Sequence, residues 1–159
     1  MSDGLDDGIW QRSVAVVSAA HRRDAKAHAH GFLSWEELTV QERRRMELYI
    51  RYLLGHRLHQ ELRGDYAPSR LIAIAERIQP ATDEVVKADV PVLAEVFRDA
   101  LGVPAPDDTI HGVKTDLIAS AALGVLLKDP APELAAMRPE LARYYAKHAV
   151  ALRDLEESG

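Results

Sequence analysis

From Leu117 to Leu127 the chain is apolar except at Ser120 and Gly124, and no charge falls inside the run. A helix that is apolar all round has to be covered on every side. The pattern therefore predicts a central helix over about 116–127, enclosed by others. The run's eleven residues are too few to cross a bilayer, which takes ~20. Ser120, Ala121, Ala122 and Gly124 are small enough to let a neighbouring backbone come close.

The remaining apolar positions recur at helical spacing. Trp10, Val14, Val17, His21 and Ala25 make one stripe on a first helix over about 8–30, capped by Asp6 or Asp7 and stopped at Gly31. Ser34 and Glu37 form a capping box, with Leu33 and Leu38 at the staple positions. Thr39 and Glu42 form a second box five residues later, which predicts a single turn anchored by Trp35, a kink at Thr39 and a long helix over about 40–63. The segment WEELTVQER (35–43) resembles the Leu, acid and Arg pattern of ryanodine-receptor-type helical repeats. That likeness covers some ten residues and includes no catalytic motif.

The long helix carries two stripes. Met46, Ile50, Leu53, Leu54 and Leu58 form an apolar one, expected to face the central helix. Tyr49, Tyr52, His56, His59 and Arg63 form a second, beside it. Pro68 suits a first helical position, predicting a helix over 68–78 that Pro80 stops. A short helix near 83–88 and another over 91–101 follow, the latter opened by Pro91 and closed by Gly102. Residues 102–114 break the pattern and read as a surface loop. After the central helix, Pro130 and Pro132 open a short helix over 131–137. Pro139 is expected to begin a separate one over 139–156, because the residue before a proline disfavours helix. In that helix Leu141, Tyr145, His148, Leu152 and Leu155 recur as in a heptad.

No stretch alternates over a strand's length and no repeat or linker divides the chain. The expectation is an all-α, single-domain bundle of about six to eight helices, with residues 1–7 and 157–159 frayed. At 159 residues such a domain buries roughly 70% of the surface its unfolded chain exposes.

The net charge of −5 is uneven. Residues 1–80 hold 12 basic and 11 acidic side chains, residues 81–159 hold 8 and 14. An acidic half opposes nucleic-acid binding, which depends on neutralising phosphates. The absence of cysteine removes disulfides, thiolate metal sites and a cysteine nucleophile. The acidic N-terminus lacks the basic and apolar regions of a signal peptide, so a cytoplasmic protein with no membrane contact is expected. Arg outnumbers Lys three to one and Ala is abundant, as in GC-rich bacterial genomes.

Histidine is the only reactive residue type that clusters. His21, Asp24 and His28 stand at i, i+3 and i+7, a spacing at which imidazole and carboxylate can hold zinc or iron. Against that, the segment is charged and lies near a helix C-terminus, where the dipole favours His and Arg anyway. His56 and His59 are one turn apart but lack a carboxylate on their face. His111 lies in the 102–114 loop beside Asp107 and Asp108. These six residues are the metal candidates, and no cofactor is otherwise indicated.

The stripe of Tyr49, Tyr52, His56, His59 and Arg63 has three readings: the rim of the core, a partner-binding face, or a ligand site. Arg43, Arg44, Arg45, Arg51, Arg57 and Arg63 make the long helix basic, but Glu42, Glu47 and Glu61 interleave. Pairs such as Arg43–Glu47 and Glu47–Arg51 are expected to neutralise it. No phosphate loop, nucleophile elbow or paired-carboxylate motif is present. The expected function is a non-enzymatic helical interaction or regulatory protein that acts by binding a macromolecular partner, with a protein partner expected and a homodimer through the last helix as a further expectation. A helical metalloprotein or enzyme, and a nucleic-acid regulator acting through 43–63, are the alternatives.

Overall fold

The computed structural model describes residues 3–82, 86, 88–102 and 113–151, apart from the side chains of residues 33–35, 113 and 114. Among them lie seven α-helices and two 3-10 turns, and no strand. The helices are α1 (Asp7–His21), α2 (Ala25–Leu33), α3 (Val40–Leu62), α4 (Pro68–Ile78), α5 (Val90–Ala100), α6 (Val113–Leu126) and α7 (Pro130–Lys147). The 3-10 turns are Ser34–Glu37 and Gln79–Ala81.

The apolar run is the centre of the bundle. Ile118, Ala119, Ser120, Ala121, Ala122, Leu123, Leu126 and Leu127 are all buried, and α6 touches α1, α2, α3, α4 and α5. Where α6 meets α1, Gly124 lets the backbones close: a Cβ there would stand 2.8 Å from the His21 amide nitrogen and 2.9 Å from the Val17 carbonyl oxygen. The apolar stripe of α3 lies against it, with Met46, Ile50, Leu53, Leu54 and Leu58 fully buried. Helix α3 opens on the second capping box: Thr39 Oγ1 accepts from the Glu42 amide at 3.1 Å, and Glu42 accepts from the Thr39 amide at 2.9 Å. The Ser34 side chain lies outside the described residues.

Three departures from the expected elements have physical causes. The predicted helix over 8–30 is two helices. Arg23 adopts a left-handed conformation (φ 58°), its amide donates to the Ala20 carbonyl at 3.0 Å, and the Asp24 amide donates to Ala19 at 2.9 Å. This is a Schellman stop with Arg where Gly is usual, and Asp24 Oδ1 then accepts from the Ala27 amide to start α2.

Residues 131–137 and 139–156 are not separate helices: α7 runs through Pro139. Pro139 is exposed, and so is Ala135, whose carbonyl loses its amide partner to the proline. The N-terminal segment, expected to fray, is tied down from residue 3. Leu5 is buried, Asp6 caps α1 through the Ile9 amide, and Arg138 of α7 grips Asp3 and Asp7. Much of the short helix expected near 83–88, the 103–112 stretch with His111, and Leu152 and Leu155 lie outside the described residues.

Candidate functional site

A groove of about 450 Å³ opens between α3, α5 and α7. Its wall on α3 comes from Tyr52, His56 and His59, at i, i+4 and i+7. The opposite side is Ala100, Leu101 and Gly102 at the end of α5, and Tyr144 closes it from α7. Gly55 sets the spacing, since a Cβ there would meet the Ala100 carbonyl oxygen at 2.4 Å. Only a glycine allows α3 and α5 to cross so tightly.

The rim is aromatic. The Tyr52 and Tyr144 rings stack at 4.7 Å between centroids, tilted by 32°. Tyr144 continues to His148 at 4.7 Å, and Tyr52 to His56 at 6.2 Å. Tyr52 donates its hydroxyl to the Glu140 carbonyl at 3.3 Å. Burial, then the charge of Glu140, raises the pKa of that hydroxyl, so it stays a donor. His59 Nδ1 lies 2.6 Å from the Tyr66 hydroxyl. The Nδ1 of His56 is buried and has no hydrogen-bond partner, a cost unless something else meets it.

The predicted stripe is thus split by the fold. Tyr49 is no part of a surface: it is fully buried, its hydroxyl accepts from the Asp6 amide at 3.1 Å, and its ring meets the edge of Tyr145. Tyr52, His56 and His59 share the groove. Arg63 caps α3 in a left-handed conformation and lines a different, polar hollow with Arg57, Glu61 and Arg70.

The other candidates are drawn into structure. His21 Nδ1 lies 2.9 Å from the Gly124 carbonyl and donates to it. His28 is buried against Ser120 of α6, Nε2 to Oγ 2.7 Å. Asp24 serves the start of α2. The three are therefore divided between the end of one helix and the start of the next, rather than lined up on one face. Among the described residues no three His, Asp or Glu side chains gather where they could hold a metal ion, and His111 lies outside them. The arginines of α3 are largely engaged. Arg44 pairs with Glu47, Arg45 with Asp6, Arg51 with Asp99, and Arg57 with Glu61.

One group has no counterpart in the sequence-based expectations. Asp116, in the first turn of α6, is only 4% exposed. Glu47 and Arg51 of α3 and Asp99 of α5 act on it electrostatically. Burial, then the charge of Glu47, pushes its pKa up to about 8. Its Oδ2 and the neighbouring Thr115 Oγ1 are buried without partners. The available signal is a lone carboxylate heading a run that must be dry, which the periodicity reading treats only as a helix start.

No described helix is long and apolar enough to cross a membrane. No family model, curated protein or solved structure matches this chain.

Proposed function

We propose that this is a non-enzymatic helical binding protein, and that the α3–α5–α7 groove receives a segment of a protein partner. The observation that carries the reading is the make-up of the groove. Its apolar floor (Leu48, Gly55, Ala100, Leu101) sits beneath a rim of Tyr52, Tyr144 and His59, the apolar-centre, polar-edge arrangement of protein interfaces. Tyrosine is enriched among residues that dominate binding energy.

The face is narrower than the stripe suggests, resting on Tyr52, His56 and His59 with Tyr144 added. Tyr49 belongs to the core. Self-association through α7 has less to work with, since Leu141 is spent on the core.

The test is a quantitative pull-down from the native host with Leu101→Glu and Tyr144→Ala beside the wild type. The partner should be lost at least tenfold from both variants and retained by Arg63→Ala, with far-UV dichroism unchanged. Equal retention by all four proteins would remove the groove from consideration.

A further inference from the structure

Three carboxylates and two guanidiniums meet where the first turn of α6 and the last turn of α5 press on α3. Arg44 pairs with Glu47 at 3.8 Å, and Arg51 with Asp99 at 3.0 Å. Both cations are therefore matched by carboxylates other than Asp116. The side chain of Glu47 keeps 20% of its exposure and that of Asp99 34%, so both keep contact with water. Asp116 is the odd one, almost wholly buried, within hydrogen-bonding reach of Glu47 and with Oδ2 unpartnered.

Two carboxylates side by side cannot both be ionised at low cost, and one shared proton resolves the conflict. A buried charge with no counter-ion is far costlier than a buried neutral acid. The N-terminus of α6 favours an anion by its dipole, but burial and the charge of Glu47 act the other way and raise the pKa. Among the described residues, the charged groups that act on Asp116 are Glu47 and Arg51 on α3 and Asp99 on α5, and their formal charges sum to −1.

We propose that the Asp116–Glu47 pair is a proton switch built into the fold. While Asp116 holds its proton it donates to Glu47 and clamps α6 to α3. When the proton leaves, three carboxylates face Arg51, and the α5–α6 corner loosens from α3. Because Asp99, Leu101 and Gly102 belong to that corner, loosening it also moves one wall of the groove. The switch itself stands or falls without any partner.

The linkage has a definite sign. The folded-state carboxyl titrates near 8 and the unfolded one near 3.8, so between those values the folded chain binds the extra proton. Stability from this group is full below about pH 4 and is lost as pH rises toward 8. Relative to Asp116→Asn, which keeps the shape and a donor but cannot ionise, the wild-type unfolding constant should rise on the order of tens-fold from pH 6 to pH 8 and level off above 9.

The experiment is urea unfolding of the full chain at pH 6, 7, 8 and 9 for wild type and Asp116→Asn, with side-chain carboxyl NMR of the wild type. The proposal expects a ratio that climbs and then flattens, and one carboxyl resonance titrating above pH 6. Amide protection, corrected for intrinsic rates, should fall first at residues 99–102 and 115–118. A ratio constant across the range, or every carboxyl titrating below pH 6, would overturn it. If Asp116→Asn does not fold, Glu47→Gln replaces it. Removing the like charge should move the NMR transition at least one pH unit lower, and an unmoved transition would overturn the pairing.

Discussion

His28 Nε2 lies 2.7 Å from Ser120 Oγ, at the junction of α2 and α6, and neither residue is exposed. The Ser120 hydroxyl donates to the Leu117 carbonyl at 3.0 Å, so it receives from His28. The network thus assigns the proton to Nε2. Ser120→Ala strands that N–H in the core and should cost about 1–3 kcal/mol. His28→Leu with Ser120→Ala removes both partners and should cost less than the two single changes together. A denaturation cycle at pH 8 with coupling under about 0.5 kcal/mol would mean that the pair contributes no specific stability.

Glycine positions separate tight helix crossings from idle ones. Gly124→Ala places a methyl 2.8–2.9 Å from the His21 amide nitrogen, the Ala20 Cβ and the Val17 carbonyl oxygen, none of which is a flexible tip. Overpacking of that kind costs about 1–3 kcal/mol. Gly8→Ala meets only Asp6 Oδ1, at 3.4 Å, in an exposed helical position. It should stabilise by about 0.5 kcal/mol through better helix propensity. Opposite signs in the two midpoints are the expected result, and a tolerated Gly124→Ala would show that α1 and α6 can move apart.

The centre and the periphery should also differ in size of effect. Leu123→Ala empties a site that is fully buried, for about 2–5 kcal/mol. Thr39→Ala removes one half of an exposed capping box, for about 1 kcal/mol. If urea unfolding ranks them the other way, α6 is not the element the bundle is built on.

The sequence shows α6, α3, α4 and α5 well because each rests on a local rule: a charge-free, largely apolar run, a capping box, a proline at the first turn. The break after His21 is hidden because Arg23 does a glycine's work, and only the closing hydrogen bonds to Ala19 and Ala20 reveal it. Pro139 is misleading in the other direction, since whether a proline ends a helix depends on which side faces water. The groove is half legible. Tyr52, His56 and His59 fall at helical spacing, but Tyr144 and Leu101 arrive from distant elements. No periodicity distinguishes Tyr49, which turns inward to the Asp6 amide, from Tyr52, which does not. The acid pair is long-range too: Glu47 and Asp116 meet only through the α3–α6 packing.

Arg138 ties the start of the chain to α7. Its guanidinium contacts Asp3 and Asp7, each at 2.6 Å, and lies 5.3 Å from the centre of the Trp10 ring. The hydrogen bond from Arg138 holds the Asp3 carboxyl below its usual pKa of 3.8. The folded pKa is the lower one, so stability from this contact is present above about pH 4 and is lost as pH falls through the folded value. Asp3 is largely solvated, which limits the global effect to about 1 kcal/mol or less. The local effect should be plainer. Arg138→Gln should expose the Leu5 and Asp6 amides to exchange at pH 6 as acid does in the wild type, and 0.5 M salt should act in the same direction by screening. Unchanged protection of those two amides in Arg138→Gln would mean that Leu5 burial and the Tyr49 hydroxyl hold the segment without the ion pairs.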